Sequence, residues 1–359
     1  MRASSRWTAG HDGTALRALA VALLLASIQG AAGCVGRVLS LTELPASPIA
    51  VTFWEPEAAR RRAELLASRE ATPPQPKPRR TGVAEIEKLG RLIGVARPDR
   101  ELARLPGRLS LVDPQSGRVT PLSAAPPGSV PLAWSEDRKR LLFLSNHRNS
   151  IQIYEYDREL DEVRAVTRGQ RQHLWGDYGP ARQIAVLEIV TVASGGYARI
   201  LVTDLDGVEP ELAIERVPVE SMRLSPDGSV LLYVRDRGRI PGGRGERRSE
   251  LVARNLDTGA ERVLAPGREP AFSPVGDWIV YSAPTRDGWR LRRMRPDGSA
   301  RTPLGVGIRD ETMPSVSPDG RFVVYVREVR GLEQLFVRRI DGSGSRILLD
   351  VGAAFAPAW

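Results

Sequence analysis

The sequence predicts an all-β fold: a six-bladed β-propeller closed by the last strand of the chain and preceded by an export signal and a short tether. Three observations predict it. One short unit recurs, made of a strand ending in an apolar or aromatic residue, a turn rich in Pro, Asp and Gly, and a second apolar strand. Each copy continues into third and fourth strand patterns, so four short strands return every roughly 40–50 residues, the period of a propeller blade. The two ends of the region also complement each other, because one lacks the first strand that the other supplies.

The clearest copies are Leu224-Ser225-Pro226-Asp227-Gly228 before SVLLYV and Val316-Ser317-Pro318-Asp319-Gly320 before RFVVYV. A variant, Phe272-Ser273-Pro274-Val275-Gly276, precedes DWIVYS, and a worn copy, Trp134-Ser135-Glu136-Asp137, leads into RKRLLFLS. The most degenerate copy carries Trp175-Gly176 at the corresponding place. Counted from Trp134, the anchors at 175, 224, 272 and 316 give steps of 41, 49, 48 and 44 residues. Pro fixes φ at the turn and Gly accepts the positive φ that follows, so this chemistry suits tight reversals. Asp137, Asp227 and Asp319 recur one per unit. A calcium ion needs several oxygens converging on one point, so single aspartates in separate turns are expected to serve the turns themselves through side-chain-to-backbone bonds.

Residues 91–122 offer a second, third and fourth strand without a first, and Ala356-Pro357-Ala358-Trp359 reads as a first strand with nothing after it. Joining them gives blades at 91–122 plus 355–359, then 131–167, 172–215, 219–265, 269–305 and 313–349. Such closure removes exposed sheet edges, which otherwise promote aggregation.

The units S-P-D-G followed by LLYV or VVYV, with a third strand ending in D-G, resemble the TolB-type propeller repeat, over roughly residues 90–359. The resemblance implies a six-bladed propeller. It leaves function open, because propellers host unrelated roles and the same repeat occurs in relatives of prolyl oligopeptidase. TolB proteins carry a sizeable α/β domain before the propeller, whereas about fifty residues precede it here, so TolB's own partners do not transfer directly.

Upstream, Arg2, Arg6 and Arg17 precede an uncharged, mostly apolar run from Ala18 to Ile28 and then the small residues Gly30, Ala31, Ala32 and Gly33. Basic, apolar and small-residue regions in that order form a secretory signal. Eleven residues at 1.5 Å each span about half of a ~30 Å hydrocarbon core, too short for a transmembrane helix. The chain's one Cys, Cys34, follows directly. Ala31-Ala32-Gly33-Cys34 resembles the bacterial lipoprotein signal, which implies cleavage before Cys34 and its acylation; Val35, in place of Asp, implies sorting to the outer membrane. Between this site and the repeats, Glu55 to Arg69 reads as a short charged helix with Pro56 in its first turn. Residues 71–80, with four Pro, read as extended linker.

Composition excludes much chemistry. One Cys and three His (His11, His147, His173) leave neither a disulfide framework nor a zinc cluster. The net charge of +9 rests on Arg, with Lys only at 77, 88 and 139. No G-x-S-x-G elbow, phosphate loop or paired carboxylate motif is present, so no catalytic residue, metal or cofactor is assigned, and export argues against nucleic acid. One stretch stands out: residues 236–249, between the second and third strands of the fourth blade, carry Arg237, Arg239, Arg244, Arg247 and Arg248. That loop could grip carboxylates or phosphates of an envelope protein or anionic envelope polymer, or be a bland GC-driven insertion.

The sequence thus predicts a signal peptide at 1–33, a lipid-anchored tether at 34–85 and a propeller at 86–359, on the periplasmic face of the outer membrane. The expected role is non-enzymatic binding or scaffolding in the cell envelope. The alternatives are a propeller hydrolase or lyase, and the accessory subunit of a separately encoded peptidase.

Overall fold

The computed structural model describes residues 38–70, 105–146, 150–192, 195–205, 211–239, 247–305 and 310–359. The segment expected to be an export signal, Cys34, the Pro-rich stretch 71–80 and His147 lie outside them. Among the described residues the strands form six four-stranded antiparallel sheets. Blade 2 is Val130–Trp134, Arg140–Ser145, Gln152–Asp157 and Glu162–Ala165. Blade 3 is Gln172–Tyr178, Gln183–Val192, Gly195–Asp204 and Glu211–Glu215. Blade 4 is Val219–Leu224, Val230–Arg239, Arg247–Asn255 and Glu261–Pro266. Blades 5 and 6 open with Arg268–Phe272 and Glu311–Val316 and end with Thr302–Pro303 and Ser345–Leu349. The six-bladed propeller and the limits of these five blades agree with the sequence reading.

Blade 1 differs in one strand. Its first strand is Ala353–Ala358, as expected, but its second is Ile49–Trp54, drawn from the segment read as tether. Arg108–Val112 and Val119–Pro121 complete it. Ile49–Trp54 pairs with Ala353–Ala358 on one edge and Arg108–Val112 on the other, with all six residues buried. The physical reason is hydrophobic: IAVTFW is apolar at every position but Thr52, whose hydroxyl donates to the Ser129 carbonyl at 3.0 Å, and so suits a strand covered on both faces by neighbouring blades. The expected boundary at residue 85/86 therefore does not hold, since the propeller sheet takes in residues 49–54.

The helix expected at 55–69 is present as Pro56–Glu70. It begins where Ile49–Trp54 ends, and Trp54 pairs with Ala353 at the start of the first strand. That places the helix at the end of the ring where second strands turn into third strands. It is held there rather than solvated: Ala59 is buried, and the Arg62 guanidinium stacks 4.4 Å over the Trp54 ring while forming a 2.7 Å ion pair with Glu333.

The repeats set the core between blades. Phe143, Tyr233, Tyr281 and Tyr325 occupy the same place in their units, eight residues after the turn serine, and all are fully buried. The turn serines do equivalent work in four blades. Ser135, Ser225, Ser273 and Ser317 each accept the backbone N–H five residues on, at 2.9–3.0 Å. Each also donates to a carboxylate: Asp137, Asp227, Asp277 and Asp319, at 2.5–2.6 Å. In blade 5, where Val275 replaces the turn aspartate, Asp277 takes over from two residues further along. The bonds from these hydroxyls and from nearby backbone amides hold Asp137 and Asp227 below the usual carboxylate range.

Candidate functional site

The turns joining first to second strands in blades 2 to 6, and the Ala358-Trp359 end of the first strand of blade 1, converge on one mouth of the central channel. There they enclose a cavity of about 240 Å³, to which Trp134, Asp177, Arg223, Phe272, Ser315 and Trp359 each bring one blade. Apolar walls come from Ala271, Phe272 and the prolines Pro226, Pro274 and Pro318. Trp359 is fixed at three points. Its backbone N–H donates to Ser315 Oγ at 2.9 Å, its indole N–H donates to the Ser47 carbonyl at 2.9 Å, and its ring packs against Phe322.

Four charged side chains line the cavity: Glu136, Arg138, Asp177 and Arg223. Asp177 is buried and accepts the Leu224 N–H at 2.8 Å, with the Arg223 guanidinium 3.9 Å away. Burial outweighs the pull of Arg223 and pushes its carboxyl from 3.8 up to about 6. Arg223 also stacks 5.0 Å over the Trp175 ring. Arg138 packs 5.4 Å from the Trp134 ring centre and donates through Nε to Ser47 Oγ at 3.3 Å. Burial, reinforced by repulsion from Arg158, brings its pKa down to about 10.

The Arg-rich loop lies at the opposite end of the ring. The second and third strands of blade 4 extend into it, with Arg239 paired to Arg247 through the backbone. Arg237 is exposed, its Nε 3.6 Å from Glu250, and Arg248 is exposed as well. Arg244 and the side chains of Arg239 and Arg247 lie outside the described residues. The described flanks of this loop do not line the cavity. His173, at the start of the first strand of blade 3, is buried with Nε2 3.6 Å from Glu188. No group of three or more His, Cys, Asp or Glu among the described residues could hold a metal ion. No described helix is long and apolar enough to cross a membrane.

Sequence reasoning missed Arg138, Asp177 and Arg223. A signal existed for the first: Arg138 stands where the sister units have Gly228, Gly276 and Gly320.

No protein-family model matches the chain. It is 27% identical over 198 residues to the Tol-Pal system protein TolB of Anaeromyxobacter dehalogenans, covering 50% of this chain and 42% of that protein. The chain spans about half the length of the curated relatives it matches. Among solved structures, TolB from Acinetobacter baumannii superimposes with a TM-score of 0.59 at 18% identity, covering 89% of this chain and 68% of that one. Kuenenia stuttgartiensis hydrazine synthase reaches the same TM-score at 13% identity, covering 89% and 47%. At such identities the structural likeness speaks for the fold alone. The sequence match and the fold together make this propeller TolB-like.

Proposed function

We propose that this TolB-like propeller is a non-catalytic binding module of the bacterial cell envelope that seats part of an envelope protein in the channel mouth. One observation carries the reading: five first-to-second-strand turns and the Ala358-Trp359 end of the first strand of blade 1 line a single cavity that combines apolar walls with buried charge, the usual make-up of a recognition site. In this reading, cleavage before Cys34 and its acylation tether the module to the periplasmic face of the outer membrane. The connecting chain is then short, because Leu39 and Leu44 are already buried in the propeller core. The Arg-rich loop, at the far end of the ring, offers a separate contact to anionic envelope polymer.

The test is site-specific photo-crosslinking in cells, with the crosslinker at Phe272 in the mouth and, as control, at Arg330 in the opposite end's turn of blade 6. A discrete adduct from position 272 and none from 330 supports the reading. Equal yields from both, or none from 272, overturns it. Cys34→Ala with membrane fractionation tests the anchor separately: the variant should leave the membrane fraction, and a chain that is soluble already without the change removes the anchor from the proposal.

A further inference from the structure

The blade 2 turn carries Glu136 and Arg138 where its sisters have Pro and Gly, and both residues line the cavity. Gly228, Gly276 and Gly320 hold φ of 75°, 73° and 70°, in the left-handed region where a Cβ is disfavoured. Arg138 holds the same conformation at φ 60°. A side chain kept in a strained backbone position that glycine fills elsewhere in the same molecule points to a role for that side chain.

Its surroundings say which role. The buried arginines Arg62 and Arg338 have carboxylate partners, Glu333 at 2.7 Å and Glu311 at 2.8 Å. Arg138 has no carboxylate within ion-pair distance among the described residues, and its buried Nη2 has no hydrogen-bond acceptor. The acids beside it in sequence are engaged elsewhere or face solvent, and Asp177, which lines the same cavity, accepts the Leu224 N–H with Arg223 3.9 Å away. Asp137 accepts Ser135 Oγ and the Lys139 N–H, Glu159 pairs with Lys139 at 2.8 Å, and Glu136 is exposed. Arg158 adds a second positive charge nearby. A guanidinium whose buried nitrogen lacks an acceptor is a site waiting for an anion.

We propose that the channel-mouth cavity is a carboxylate-binding site in which Arg138 receives the carboxylate of an entering peptide, as a chain terminus or an acidic side chain. The planar fork of a guanidinium matches a carboxylate. Asp177, on the neighbouring blade of the same cavity, disfavours a doubly charged phosphate. At about 240 Å³ the cavity is below the roughly 300–1,000 Å³ of drug-sized pockets, so it takes a small group rather than a folded surface. This inference rests on the binding-module reading and names what that module grips.

The experiment titrates the full-length protein, ¹⁵N-labelled at arginine, at constant ionic strength. The probes are N-acetyl-trialanine with a free carboxylate, its terminal amide, and N-acetyl-Ala-Asp-Ala amide. The free-carboxylate or the Asp peptide should shift the Arg138 side-chain resonance and bind at least about ten-fold more tightly than the plain amide. Which of the two does so identifies the source of the carboxylate. Arg138→Gly restores the turn of the sister blades and so keeps the fold; it should abolish the difference, and Arg138→Lys should retain part of it. Equal binding of all three probes, or unchanged preference in Arg138→Gly, overturns the proposal. A position-272 adduct that persists in Arg138→Gly alongside such a result leaves the binding module standing and removes only the carboxylate site.

Discussion

Two buried groups on one strand should give this propeller opposing pH dependences that cancel until one is removed. Asp177 and His173 lie four residues apart on the first strand of blade 3, about 13 Å at ~3.3 Å per residue, so they titrate independently. Unfolded, the Asp177 carboxyl ionises near 3.8; folded, burial holds its proton up to about 6. Between those values the folded state binds the extra proton, so its contribution is full at low pH and is lost as pH rises through about 6. At 1.36 kcal/mol per pH unit this is worth about 3 kcal/mol. His173 runs the other way. Burial, against the attraction of Glu188 and with the opposing charge of Arg171, lowers it from 6.5 to about 4. The unfolded imidazole therefore takes the proton first, and stability falls by about 3 kcal/mol as pH drops from 6.5 to 4. The perturbations are Asp177→Asn and His173→Phe, and the assay is urea unfolding followed by tryptophan fluorescence between about pH 4 and pH 7. Subtracting each variant from wild type at every pH removes all groups that titrate in both. The stability of wild type minus that of Asp177→Asn should decline by about 3 kcal/mol on going from pH 4 to 6.5. The corresponding difference for His173→Phe should rise by a similar amount. Two curves flat to within about 1 kcal/mol, or sloping the same way, would refute the assignment of burial as the dominant cause.

Three further outcomes follow from contacts already described. Glu311 is fully buried and accepts from Arg327 at 2.7 Å and Arg338 at 2.8 Å. Glu311→Gln leaves two guanidinia short of a counter-charge and should cost about 3–5 kcal/mol in urea unfolding; a loss under about 1 kcal/mol would mean that water reaches the pair. Trp359→Ala empties a site sealed by Phe322 and Ser47 and should cost about 3–5 kcal/mol, with the denaturant slope unchanged. Arg138→Gly should raise stability by on the order of 1 kcal/mol, since relief of the left-handed backbone and of the desolvated charge exceeds the lost packing on Trp134. A lower melting temperature for that variant would show the arginine to be structural.

The repeats were legible because each carries its own local code. Pro, Asp and Gly at fixed offsets in 225–228 and 317–320 announce the turn, and the apolar run after each announces the strand. Ile49–Trp54 was read as part of the tether, and nothing in its own spacing gave its place in blade 1. Its partners are Arg108–Val112 and Ala353–Ala358, and a pairing across such distance leaves no trace in spacing. Arg62 illustrates the same limit, since EPEAARRRAELLASR gives the helix but says nothing of Glu333. For Arg138 the missing glycine could be read from WSEDR set against LSPDG. That no carboxylate of the described residues comes within ion-pair distance of it is a property of the assembled ring, and no single turn contains it.

The seam of blade 1 also governs the order in which the molecule is made. Most pairings in the ring join neighbouring strands and form as soon as a hairpin is complete, whereas the Trp359 indole bonds a carbonyl 312 residues earlier in the chain. Loop-closure entropy grows slowly with length, so the finished seam is tolerated, but contacts of such separation arrive late in folding. Blades 2 to 6 can therefore assemble as an open arc while the strand Ile49–Trp54 waits with an unpaired edge. During that interval the nearest strand able to satisfy it could belong to another copy of the chain. Synthesis rate and local concentration, rather than final stability, then decide whether the ring closes on itself or exchanges its last strand with a neighbour.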